Sequence, residues 1–115
     1  MSEETLFTKI IEGTIPSDKV YEDEAFCAFR DINPAAPCHV LLVPKKVIPK
    51  ISDAGEEDAA LLGRLLLTAN KVAEQLGIVE EGFRYVINCG ENGCQEVMHL
   101  HLHIIGGRKL GWPPG

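Results

Sequence analysis

Apolar and polar positions along the chain follow two periods. Leu6, Ile10 and Ile11 recur at helical spacing in LFTKIIE, which predicts a short helix over Leu6–Glu12 with Thr5 as N-cap and Gly13 as stop. After the Ile15-Pro16 turn, Lys19–Glu22 and Ala25–Arg30 read as strands of a hairpin around Asp23-Glu24. The nearly unbroken apolar run CHVLLVP, Cys38–Pro44, suits a buried central strand. A longer helix comes next. Asp53 and Glu56 form its capping box, Leu61, Leu62, Leu65, Leu66, Ala69, Val72, Ala73 and Leu76 its wide apolar face, and Gly77 its stop. Phe83–Asn88 and Val97–Ile105 return to strands, on either side of the tight loop Gly90–Gln95. Pro113 and Pro114 keep the tail irregular. The sum is an α+β domain, short antiparallel strands with one long helix on a face.

The 115 residues make a single domain, 1–115, and 45% apolar residues give it a core. A chain this small leaves much surface open, and the broad helix face invites a partner chain. A net charge of −6 argues against coating nucleic acid, yet leaves room for a mononucleotide held by a few local donors. The start has no basic n-region or apolar h-region, and no apolar run approaches the roughly 20 residues of a membrane span. Cys27, Cys38, Cys89 and Cys94 form no CxxC pair and read as reduced thiols, mostly buried. A cytoplasmic protein without a membrane partner is expected.

All four histidines are informative: His39, and His99-Leu100-His101-Leu102-His103. Successive strand residues point to opposite faces, so the alternation gathers three imidazoles on one face and sends Leu100, Leu102 and Ile104 to the other. On a helix the same rings fan apart. A single buried histidine is ordinarily a satisfied core residue, but three in strict alternation carry too many polar nitrogens for that. Two chemistries remain. Zinc ligation, with His39, Cys38 or Cys94 completing the set, stays open, although no His-Glu-x-x-His or CxxC signature accompanies the run. The other is nucleophilic attack on phosphorus by a neutral imidazole, with neighbouring rings handling protons.

HLHLHII resembles the His-x-His-x-His-x-x pattern, x apolar, of the histidine triad (HIT) superfamily. Residues 29–46 (FRDINPAAPCHVLLVPKK), the long helix, RYVINCGENGCQ and GGRKLGWPPG are similar to its Hint branch, the histidine-triad nucleotide-binding proteins, with Asp31, His39, Asn88 and Trp112 in register. The likeness runs from about Leu6 to the end.

This resemblance implies a five-stranded antiparallel sheet with one long and one short helix, continued across a homodimer. It also implies hydrolysis of purine nucleoside 5′-phosphoramidates and acyl-nucleotides through a nucleotidyl-histidine, without cofactor or metal. By position His101 is the nucleophile, His99 contacts the phosphate and leaving group, and His103 with His39 fixes and polarises the nucleophile. Asp31 binds the ribose, while Phe29 and Ile32 flank the base beside Arg30. Asn88 and the backbone at Cys94, Gln95, Glu96 and Val97 hold phosphate oxygens. Trp112 reaches a partner's leaving-group pocket, where Glu96 also stands. Plain readings stand beside these: Asp31 as a turn residue, Asn88 as a strand-end cap, Phe29 and Ile32 as core, Trp112 as a tail anchor.

The chain departs from the pattern at Glu96, where a hydroxyl residue is common, at Cys94 for Gly, at Met98 for an aromatic, and at Arg30. Rival readings are a dinucleoside polyphosphate hydrolase, a nucleotide-binding regulatory or scaffold protein with incidental hydrolysis, and a metal-binding module.

Overall fold

The computed structural model describes residues 4–115. Helix α1 spans Leu6–Glu12, and Thr5 and Gly13 cap it as the sequence predicts. Strands β1 (Lys19–Glu22), β2 (Phe26–Arg30), β3 (Cys38–Pro44), β4 (Phe83–Val86) and β5 (Leu102–Gly106) form one antiparallel sheet in the order β1-β2-β3-β5-β4. The α2 helix, Ala59–Leu76, covers one face. Among the described residues no helix is long and apolar enough to cross a membrane.

Strand parity divides the core in two. Phe26, Ala28, Val40, Leu42, Leu102 and Ile104 face α2 and meet Leu65, Ala69, Val72 and Ala73. Cys27, Phe29, Leu41 and Val43 face the other way, against Phe7 and Ile10 of α1. Burying each large aliphatic side chain contributes on the order of 2 kcal/mol, so both layers are needed to hold the sheet.

Four boundaries differ from the sequence reading. In the β1–β2 turn the Asp23 carboxylate accepts from Ala25 and Phe26 N–H (both 2.8 Å), so pairing resumes at Phe26 rather than Ala25. The entry to α2 is two short 3-10 turns, Ile51–Asp53 and Glu56–Asp58. Asp58, not Asp53, closes it by accepting from Gly55 N–H at 3.1 Å, and Lys46 neutralises Asp58. Beyond β4, which ends at Val86, Asn88 turns its side chain to the Gly93 carbonyl (2.7 Å) and the chain enters the loop.

The largest difference is at β5, which begins at Leu102 and not Val97. The register with β3 ends at Leu42↔Leu102, two residues short of Pro44. Pro44 has no N–H to donate, its carbonyl accepts from His99 Nε2 (2.8 Å), and Leu100 N–H goes to Ile48 (2.6 Å). The ladder therefore stops, yet side-chain alternation survives: Leu100, Leu102 and Ile104 are buried on the α2 side. On α2 itself Leu65, Ala69, Val72 and Ala73 are buried as expected, while Leu66 remains 48% exposed.

Candidate active site

Every histidine of the chain converges on the α1 side of the sheet. His39 comes from β3, His103 from β5, and His99 and His101 from the extended segment before β5. The His101 ring lies 5.0 Å from the His103 ring and 4.9 Å from Phe7, which meets it edge-on.

The bonding partners fix each tautomer, because a backbone N–H only donates and a carbonyl only accepts. His39 Nδ1 accepts from Ala35 N–H (2.9 Å), so the proton sits on its Nε2, which donates to His103 Nδ1 at 2.9 Å. The same Nε2 lies 3.5 Å from Asp31 Oδ2. Neutral His103 must then carry its proton on Nε2. His99 Nε2–H donates to the Pro44 carbonyl, and its Nδ1 accepts from the Thr5 hydroxyl (2.8 Å each). The His101 Nδ1–H donates to the His99 carbonyl at 2.7 Å. Six of the eight ring nitrogens are thus committed.

The remaining pair differ in kind. His101 Nε2 is a bare lone pair, and His103 Nε2–H is a bare donor. No buried side-chain nitrogen among the described residues lacks a partner, so both atoms lie on the accessible rim although the His101 ring is only 7% exposed.

Charge follows the same logic. Burial holds His101 below the ordinary imidazole range, against the opposing pull of the His99 carbonyl, Asp31 and Glu96. His99 is lowered chiefly by burial too. Burial, with His101 and His39 alongside, takes His103 from 6.5 to about 4. At neutral pH these three rings are uncharged bases.

Around the rings the expected site residues divide. Asp31 is at hand, its Oδ1 accepting from Asn33 N–H (2.8 Å). Ile32 is 90% exposed, an apolar surface next in sequence to Asp31, whereas Phe29 is 3% exposed and packs on Phe7, so it is core and not an open platform for a base. Arg30 points to Asp18 (3.2 Å). Asn88 ties its loop. Gln95 is also structural: its side chain bonds Pro49, Val97 and Gly90, and its N–H bonds the Gly90 carbonyl (3.0 Å). Cys94 N–H is likewise used, on Glu91 (3.0 Å). The N–H groups of Glu96 and Val97 donate to no described residue, and exposed Glu96 is near enough to act on His101. Cys94 keeps a left-handed backbone, φ 62°, the conformation glycine takes without strain. Cys27 and Cys38 are buried, but Cys89 is half-buried and Cys94 exposed, fewer buried thiols than expected.

One expectation changes, and one is left to the partner chain. His99 is 0% exposed with both nitrogens bonded, so it stands behind His101 and has no free nitrogen to offer a phosphate. Trp112 is 80% exposed, lies 5.9 Å from the Arg84 guanidinium, and stacks on none of this chain's histidines. A groove of about 510 Å³ bordered by Ile78, Phe83, Arg84, Arg108 and Leu110 opens elsewhere, and no histidine lines it. The sequence reading missed Phe7, and saw in Thr5 only a helix cap.

A metal fits poorly here. Asp31, His39 and His103 offer donor atoms within 4.8 Å of one another. However, Ala35 N–H occupies His39 Nδ1, so binding through Nε2 requires an imidazolate.

An open imidazole lone pair beside an open imidazole donor defines a site for attack on an electrophile such as phosphorus. The HIT domain family model matches residues 12–110, and the chain belongs to that family. It is 50% identical to the purine nucleoside phosphoramidase of Escherichia coli K12 over 111 residues, covering 96% of this chain and 93% of that one. It is 53% identical to the 14 kDa zinc-binding protein of Brassica juncea over 97% of this chain and all of that protein. The crystal structure of a HIT family hydrolase from Legionella pneumophila superposes with TM-score 0.94 at 48% identity, over 97% of this chain and 100% of that one.

Proposed function

We propose that this protein hydrolyses purine nucleoside 5′-phosphoramidates, and related acyl-nucleotides, to the nucleoside monophosphate through a nucleotide held covalently on His101. The observation carrying this reading is the single uncommitted lone pair, His101 Nε2, in a cluster whose other acceptor nitrogens are all bonded. The Escherichia coli relative's name supplies the substrate class.

In the first step His101 Nε2 forms a bond to the α-phosphorus as the bond to the leaving amine breaks. The amine departs with a proton from the solvent side, where Glu96 stands, and this carboxylate favours cationic amines. His103 Nε2–H and the unused N–H groups of Glu96 and Val97 hold the phosphoryl oxygens, whose charge grows in the transition state. Positive charge on the nucleotidyl-imidazole is drawn through Nδ1–H to the His99 carbonyl. Water then attacks phosphorus, the P–Nε2 bond breaks, and neutral His101 returns with the monophosphate. Asp31 holds the ribose hydroxyls and Ile32 flanks the base.

A homodimer belongs to the same reading. β4 is a sheet edge, Leu66 and Leu67 of α2 are 48% and 67% exposed, and Trp112 extends away from its own histidines, free to reach a partner's site. Sedimentation of the purified chain at twice the monomer mass is the expected result.

Incubation with adenosine 5′-phosphoramidate tests the activity, with AMP release and a nucleotide adduct on His101 expected. Cleavage of diadenosine polyphosphates alone moves the chain to the rival hydrolase class, and binding without turnover of either makes it a nucleotide-binding protein.

A further inference from the structure

The N-cap of α1 reaches into the histidine cluster. The Thr5 hydroxyl accepts from Thr8 N–H (3.1 Å), the ordinary capping bond, and its one proton is then free for His99 Nδ1 at 2.8 Å. Thr5 N–H in turn donates to Thr8 Oγ1 at 2.8 Å, so the cap is held on both sides. We propose that Thr5 is a positioning residue for the nucleophile: its hydroxyl locks His99 in the neutral Nε2–H form, and the His99 carbonyl orients His101 through Nδ1–H.

Each link is constrained by bonding capacity. His99 is wholly buried, between the Pro44 carbonyl and the Thr5 hydroxyl, with Phe7 against its ring at 5.8 Å. If Nδ1 lost its donor, the ring would have a bare acceptor in an apolar layer and reason to turn. A turned ring shifts the backbone at residue 99, and with it the carbonyl that aims His101. The fold places this dependence on a helix of seven residues at the edge of the α1-side core, packed through Phe7 and Ile10. Among the described residues His101 is the only titratable group acting on His99. The ring's protonation therefore reports on Thr5 and, besides it, on His101, which substitutions at Thr5 leave unchanged.

The inference rests on the phosphoryl-transfer reading for its kinetic consequence but not for its spectroscopic one. Three variants separate capping from positioning. Thr5→Ser keeps both cap and donor. Thr5→Val removes both. Thr5→Asp keeps the cap, since aspartate is among the best N-caps, but offers His99 Nδ1 an acceptor where it needs a donor. With Nε2–H still on Pro44, the ring must then take a second proton.

The expected results, with nitrogen-15 histidine NMR and turnover of adenosine 5′-phosphoramidate as readouts, are distinct. Thr5→Ser leaves His99 in the Nε2–H form with kcat within about twofold of wild type, because serine keeps the capping oxygen and the hydroxyl donor. In Thr5→Asp the His99 titration midpoint rises by about one pH unit or more, as for a histidine gaining a carboxylate neighbour. Thr5→Val lowers kcat about tenfold at nearly constant KM, the signature of a misaimed nucleophile. An unchanged His99 titration in Thr5→Asp, or wild-type kcat in both Asp and Val variants, overturns the proposal. Should the wild-type protein not turn the substrate over, the functional reading fails, while the His99 spectrum still decides the role of Thr5.

Discussion

The two faces of the sheet are built from the same strands by opposite means. Toward α2, Phe26, Val40, Leu42, Leu102 and Ile104 are fully or almost fully buried, and apolar contact alone holds them. Toward α1, His39, His99 and His101 are nearly as buried, yet stay in place because almost every ring nitrogen has a partner. The first face tolerates no gap, and the second tolerates no unpaired atom other than the ones it uses. Packing supplies stability, and saturation of hydrogen bonds leaves one imidazole lone pair over, the one the proposed reaction uses.

Substitutions that strike one face and spare the other sharpen this contrast. His101→Ala is expected to reduce phosphoramidate turnover by at least about 1000-fold, with the chain still folded by circular dichroism. Leu42→Ala, on the α2 face, is expected to cost about 3 kcal/mol in urea unfolding, while kcat of the folded protein is unchanged.

Acid distinguishes the faces next. His103 titrates at about 4 when folded against 6.5 for a free imidazole. Between those values the unfolded chain holds a proton there that the native chain does not, so unfolding takes up protons. Stability accordingly falls as pH drops through that window and levels off above it. His99 and His101, also lowered, add to the slope. Replacing one such ring, as in His103→Gln, is expected to flatten the dependence by up to about 1.4 kcal/mol per pH unit. The smallest effect is at the loop: Cys94→Gly relieves a left-handed non-glycine residue and is expected to stabilise the fold by about 1 kcal/mol without altering turnover.

The strength of each sequence signal decided what was legible in advance. Apolar pattern located α1, β3 and the body of α2, because burial on one face imposes a helical period and burial on both faces an unbroken apolar run; hairpin spacing located β1. Strand parity grouped the histidines correctly even though ladder pairing stops at Leu102, since side-chain direction depends on extended backbone and not on the ladder itself. The end of that ladder goes with bonds from His99 to Pro44 and from Leu100 to Ile48, long-range partners that no local window contains. For the same reason Asp58 displaced Asp53 at the start of α2: its partner Lys46 comes from outside the helix. Thr5 went unrecognised as a site residue because its role as a cap explained it fully, and Phe7 because the helical spacing drew attention to Leu6, Ile10 and Ile11, whereas the fold buries Phe7 with Ile10. Phe29 and Gln95 were assigned to ligand by position, and structure shows their bonding and packing already complete within the chain.

The claim on which the rest turns is that one particular nitrogen is left open. Wild-type protein can be quenched during turnover of adenosine 5′-phosphoramidate and the nucleotidyl-histidine characterised by phosphorus and nitrogen NMR. Linkage through Nε2 of His101 is the predicted result. Linkage through Nδ1, or an adduct on His39, His99 or His103, contradicts the account.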